Sequence, residues 1–170
     1  RELVGQPVAH VWVSTPAADA DVYVYLEAVH RRGGAAVIAS GALRASQRKT
    51  GAAPYDTGGV PWQTHLRRDA QPLAPDAPVA LDVGLTATAY ALQPGDMLRL
   101  SVTSRYPRDA AMSPPAITIL SDAAHPSWVE VPDVDTRLRA IDPDASWNRT
   151  GPLPALVGTG PGTPARPPRR

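Results

Sequence analysis

Apolar and polar positions alternate with a period of two over several short stretches of the chain. From Val8 to Ser14, Ala9, Val11 and Val13 fall on one side and Val8, His10 and Trp12 on the other, two largely apolar faces that suit a strand inside a stack. Asp21 to Val29 repeats the pattern, with Val22, Val24, Leu26 and Ala28 on one face and Tyr23, Tyr25 and Glu27 on the other. Arg31-Arg32-Gly33-Gly34 predicts a tight hairpin turn before the run Ala36 to Ala39, because paired glycines reach positive φ without strain. Leu81 to Leu85 and Thr88 to Leu92 read as further strands. After the Pro94-Gly95 turn, Leu98, Leu100 and Val102 oppose Arg99, Ser101 and Thr103 in the cleanest inside-outside alternation of the chain. Ala116 to Leu120 and Trp128 to Val131 close the series. No segment sustains a 3.6-residue apolar stripe over three turns. The expectation is an all-β chain of about eight antiparallel strands in two packed sheets, the number a jelly-roll β-sandwich needs.

Composition sharpens this picture. The 20 prolines and 13 glycines fall between the apolar runs, as strand punctuation does. Gly51 to Pro78 carries Pro54, Gly58, Gly59, Pro61, Pro72, Pro75 and Pro78, so it must be mostly loop, with a short extended piece around Trp62 to Leu66. Beyond Val134 the alternation decays, and the domain division expected is a sandwich over 1–135 followed by an extended or disordered Pro/Gly-rich tail over 136–170. A net charge of +1 provides no field to draw in nucleic acid or an acidic membrane surface, and neither is expected as a partner. The absence of cysteine removes disulfides, thiolate nucleophiles and cysteine-ligated zinc together, and leaves the compartment open. Basic residues that are almost all arginine, with abundant alanine and proline, point to a GC-rich bacterial genome. The chain opens on Arg1, and we expect it to be a piece of a longer polypeptide.

Three blocks of residues, in order, resemble a known family. The first is Val11-Trp12-Val13-Ser14-Thr15 followed by Asp19-Ala20-Asp21-Val22-Tyr23. The second runs from Leu85-Thr86-Ala87-Thr88-Ala89-Tyr90 through Pro94-Gly95 and Leu98-Arg99-Leu100-Ser101-Val102-Thr103-Ser104 to Tyr106-Pro107-Arg108. The third is Ile117-Thr118-Ile119-Leu120 leading to His125-Pro126-Ser127 and Val131-Pro132, and a weaker match, Gly41-Ala42-Leu43-Arg44 with Arg48, sits between the first two. Together they resemble the C-terminal domain of the X-prolyl dipeptidyl-peptidases, cocaine esterase (CocE/NonD) and α-amino-acid ester hydrolases, over about residues 4–134. The sequence departs from that family where Asp96-Met97 replace a histidine-arginine pair after the turn glycine. It departs again where Ala110-Ala111-Met112-Ser113-Pro114 replaces a longer polar loop.

The resemblance implies a galactose-binding-domain-like jelly roll docked on an α/β-hydrolase core and a helical cap of the same polypeptide, and sometimes forming a subunit contact in a homo-oligomer. It places the Ser-His-Asp triad upstream, so it carries no catalytic residue, cofactor or metal ligand onto this chain. The parent it implies hydrolyses esters or amides.

Read on their own, the chemistry-bearing residues agree with a non-catalytic chain. No Gly-x-Ser-x-Gly occurs, and Asp122 and His125 beside Ser121 and Ser127 sit in a segment that reads as a turn whose side chains bond nearby backbone. His10, His30 and His65 are far apart, with no compact ligand motif. Asp19 and Asp21 suit a turn and strand start better than a calcium site. Trp12, Trp62 and Trp128 raise an alternative, a carbohydrate-binding module stacking sugars on exposed indoles; the preferred reading puts Trp12 and Trp128 inside the sandwich or against the hydrolase domain. Gly158-Thr159-Gly160-Pro161-Gly162 follows no strand and ends in no Gly-Lys-Ser/Thr, so it is low-complexity tail rather than a phosphate loop. Arg44, Arg48, Arg67 and Arg68, near Tyr55 and Trp62 in sequence, read as an interdomain face with salt bridges to a neighbouring domain.

Overall fold

A computed structural model describes residues 1–106 and 113–134. It contains ten strands: β1 Glu2–Gly5, β2 Val8–Ser14, β3 Asp21–Val29, β4 Ala35–Arg44, β5 Val79–Gly84, β6 Thr88–Ala91, β7 Met97–Thr103, β8 Thr118–Leu120, β9 Trp128–Glu130 and β10 Asp133–Val134. Two single-turn 3-10 helices, Ala45–Gln47 and Arg67–Asp69, complete the regular structure of the described residues. Every strand pairing is antiparallel.

Strand β2 is central to its sheet. On one side it pairs with β5, from Val8↔Gly84 to Val13↔Val79; on the other β9 covers Val8 to His10 and β8 covers Trp12 to Ser14. Strand β1 stands between β6 and β10 in the same way. The chain passes from β1 to β2, from β5 to β6 and from β9 to β10 after only two or three residues, so the two ladders continue one another with an interruption. Pro7 and Pro132, which lack an N–H to donate, lie in that interruption. Gly5, the last residue of β1, borders it at φ +138, and a Cβ there would come 2.9 Å from the Pro132 ring.

A separate three-stranded sheet has the order β4-β3-β7. Alternation in β3 buries Val22, Val24, Leu26 and Ala28 completely and leaves Tyr23, Tyr25 and Glu27 on the opposite face. The β3–β4 register slips between Leu26 and Glu27, so Ile38 of β4 is an extra residue at a bulge and packs against the core beside Ala39. The hairpin between β3 and β4 closes as the glycines anticipate, with Gly33 at φ +96, Gly34 at φ +87 and the His30 N–H donating to the Gly34 carbonyl.

The inward residues of β2 and β5 meet those of β3 and β4 in one cluster built from Ala9, Val11, Val13, Val22, Val24, Leu26, Ala39, Leu43, Leu81 and Val83. Each fully buried valine or leucine contributes about 1.5–3 kcal/mol of transfer free energy. Leu73, from the long loop, and Leu85 join the same cluster, which pins that loop to the sandwich. The layers come close at Gly41, where a Cβ would collide with the Gly84 carbonyl and lie 2.9 Å from Leu85 Cδ2. Beside it, Thr86 N–H donates to the Ser40 carbonyl and Ser40 N–H donates to Thr86 Oγ1.

All eight expected strands are present, and β2 and β3 have the expected bounds. The Ala36 to Ala39 run belongs to a longer strand, and β1 and β10, two short strands that pair with each other, were not anticipated. The alternation at Leu98 is weaker than the sequence suggests: Leu98 and Arg99 are both exposed, because β7 is an edge strand and little covers its N-terminal half. Gly51 to Pro78 is loop apart from the 3-10 turn and a single bridge, Thr50↔Gln63. The tail over 136–170, with its glycine-rich stretch, lies outside the described residues, as do Ala110 to Met112.

Candidate functional site

The two outward faces of the sandwich each carry a group of aromatic and charged side chains. On the β2 face, the cross-strand pairs His10↔Trp128 and His10↔Asp82 set three side chains in a row. The imidazole stacks on the Trp128 indole with ring centroids 3.7 Å apart, and its Nδ1 lies 2.7 Å from Asp82 Oδ1. That contact places the Nδ1 proton on the carboxylate side. Nε2 is buried and finds no hydrogen-bond partner among the described residues.

One row away, Trp12 meets His125 edge-on at 4.9 Å. Asp122 accepts from the backbone N–H groups of Ala124 and His125 and lies 3.1 Å from His125 Nδ1; the imidazole first, then those amides, holds its carboxyl below the ordinary value. The Ser127 hydroxyl donates to the Leu120 carbonyl and accepts from the Trp12 N–H at 2.9 Å. It thus stands in for a ladder hydrogen bond in the gap between β8 and β9. Ser127, Asp122 and His125 therefore hold a turn together, as Asp and Ser do when they bond to local backbone.

The β3 face is arranged differently. Its rows, read across β4, β3 and β7, are Arg44 and Asp21; Ala42, Tyr23 and Thr103; Ser40, Tyr25 and Ser101; and Val37, Glu27 and Arg99. The first and last rows are ion pairs. Arg44 reaches both Asp21 oxygens, at 2.9 and 3.1 Å, and Arg99 reaches both Glu27 oxygens, at 2.8 and 3.0 Å. Arg99 and then the Ser101 hydroxyl hold the Glu27 carboxyl below its ordinary value. Between these rows, two tyrosines stand beside the small side chains of Ala42 and Ser40, and Tyr106 folds back to within 5.5 Å of Tyr23. The result is a depression of about 600 Å³ lined by Tyr23, Tyr25, Tyr106, Val37 and Ala42 among others. Burial, with Tyr106 and Tyr23 nearby, pushes the Tyr25 phenol up.

The remaining candidates are dispersed. Asp19 accepts from the Ser46 N–H and hydroxyl and so fixes the first 3-10 turn. Arg48 donates to the Ala45 and Gln71 carbonyls. Of the four arginines read as an interdomain face, Arg44 and Arg48 are thus engaged within the sandwich, while Arg67 and Arg68 lie exposed on the second 3-10 turn. Asp96 points inward, its side chain almost wholly buried beside His30. Burial would push its carboxyl up, but the Gln93 N–H, the His30 ring and the Arg31 N–H outweigh that and hold it below its ordinary value. Trp62 packs edge-on against Tyr55 in the long loop, and His65 takes a left-handed backbone at φ +49. Trp12 and Trp128 do not enter the sandwich: both face outward, and Trp128 is half exposed. Among the described residues no three His, Asp or Glu side chains gather as metal ligands would, and no helix is long and apolar enough to cross a membrane.

Residues 1–144 match the family described as the X-Pro dipeptidyl-peptidase C-terminal non-catalytic domain. The chain belongs to this family. Two curated relatives, each named "Putative serine esterase", from Mycobacterium bovis and Mycobacterium tuberculosis, are 32% identical over 136 residues. Those residues are 77% of this chain but 22% of each relative, so the C-terminal domain described here spans about a fifth of their length. Two crystal structures of a CocE/NonD family hydrolase from Staphylococcus aureus superpose on the domain with TM-scores of 0.64 at 22% and 21% identity. They cover 78% and 79% of this chain, and 28% of the hydrolase chain in each case, and they confirm the fold.

The tyrosine depression escaped the sequence reading. The alternation did place Tyr23 and Tyr25 on one face, but the small residues that open space beside them lie on β4, and only the strand register brings the two together.

Proposed function

We propose that this X-Pro dipeptidyl-peptidase C-terminal domain buttresses a bacterial serine hydrolase of α/β-hydrolase type, packing on its catalytic core and helical cap, and holds no catalytic, cofactor or metal residue of its own. The observation that carries the reading is the match of residues 1–144 to a non-catalytic domain family, in a chain that spans 22% of relatives named as serine esterases. The two hydrogen bonds that occupy the Ser127 hydroxyl support it, since a nucleophile must be presented to substrate and a base rather than bound into a ladder. The parent then cleaves esters or amides with a triad located elsewhere in the polypeptide.

The test uses the full-length polypeptide. With p-nitrophenyl esters and Xaa-Pro anilides as substrates, Ser127→Ala and His125→Ala retain kcat within about threefold at temperatures where the fold is intact. A loss of more than about a hundredfold, with unchanged circular dichroism, would assign chemistry to this domain and overturn the proposal. Saturable binding on a glycan array, abolished by Trp62→Ala, would replace it with the carbohydrate-binding reading.

A further inference from the structure

Resting on that reading, we infer that the outer face of β4-β3-β7, centred on the Tyr23, Tyr25 and Tyr106 depression, is the surface that receives the catalytic part of the same polypeptide. The face has the layout of a protein interface. Its centre is aromatic and free of charge, and its ends are closed by ion pairs whose partners satisfy each other. Tyrosine suits such a centre, because it provides a large rigid surface and a hydroxyl able to bond across the contact. Val37 is 58% exposed and Tyr106 41%, so the rim of the depression is open in the sandwich alone.

The occupant follows from the length of the relatives. Matched residues make up 22% of those polypeptides, so nearly four fifths of such a chain lies outside this domain and is covalently tethered to it. A tether raises the effective concentration of the partner to roughly millimolar, so a modest patch is enough for stable docking. The shape calls for an apolar projection from the catalytic part that fills the space beside Ala42 and Ser40. Its own hydrogen-bonding groups would meet the tyrosine hydroxyls. The β2 face is a poorer candidate, since Trp128 and Trp12 are already engaged with His10 and His125.

Tyrosine nitration by tetranitromethane, mapped by mass spectrometry on the full-length polypeptide, tests this. The expected result is that Tyr106 reacts at least about tenfold more slowly than in the urea-unfolded polypeptide, because docking excludes the reagent. Ala42→Arg, which places a charge in the depression, is expected to restore Tyr106 reactivity and to divide one calorimetric transition into two. Val4→Arg, on an exposed position of the other layer, is expected to do neither. If Tyr106 reacts at nearly its unfolded rate while the polypeptide still melts in one transition, this face is not the docking surface and the buttress reading survives. If the wild-type domains melt independently, both fail. Protection that disappears on dilution, with a dimer seen in sedimentation, would give the face to a second copy and overturn the inference.

Discussion

The two outward faces are built from similar residues and used in opposite ways. On the β2 face, aromatic rings and carboxylates are consumed locally: His10 lies between Asp82 and Trp128, His125 between Asp122 and Trp12, and Ser127 joins two strands. On the β3 face the charges pair at the ends and the tyrosines gather around space. The first arrangement holds the sandwich together; the second leaves surface for something else. The contrast teaches that the presence of aromatic side chains on a sheet says little about recognition until their neighbours across the strands are known.

The contrast can be broken most directly at Ser127. Ser127→Ala leaves the Trp12 N–H and the Leu120 carbonyl without their bridge, and we expect a loss of about 2 kcal/mol in chemical denaturation, the penalty for orphaning a partly buried backbone donor. Trp128→Ala removes the stack on His10 and is expected to cost about 1 kcal/mol, read from the same denaturation midpoint. Such losses would show that the β2 face serves stability; no change at either site would dissolve the distinction.

A smaller effect concerns acid. Glu27 has its folded value held below the ordinary 4.5, so its stabilising contribution is complete above that pH and is lost as pH falls through the lower folded value. A thermal-stability profile below about pH 4.5 should therefore be flatter for Glu27→Gln than for the native chain. Asp122, whose ordinary value is 3.8, acts in the same direction on the other face, so Asp122→Asn should flatten the profile further down. The smallest effect is expected at Val37→Thr: within about 0.5 kcal/mol for unfolding of the sandwich, because the side chain is more than half exposed and threonine keeps its branched shape.

Period-two alternation was enough to recover β2 and β3 to the residue, because their inward positions are uniformly Val, Leu or Ala and the pattern is long. It failed at β1 and β10, which are four and two residues long and owe their existence to pairing with each other and with β6. The turn reading of Asp122 to Ser127 was accessible for a local reason, since Asx and Ser bonding depends on neighbours in sequence. The outward position of Trp12 and Trp128 was not. His10 and Trp128 are far apart in the chain and share a face only through the β2–β9 register. Asp96 likewise reads as a lost family contact until His30, 66 residues earlier, is found beside it.

The pair of hydrogen bonds between Ser40 and Thr86 has a consequence for how copies of this molecule behave in concentrated solution. By occupying both main-chain groups of Ser40, Thr86 blocks the free flank of β4 midway along its length, so another chain cannot zip onto it. The far side of β7 has no such guard: among the described residues no strand pairs there, and Met97 and Leu98 lie open at its start. Unwanted strand addition during purification would begin along β7, and a lysine in place of Met97 is where a more soluble variant should be sought.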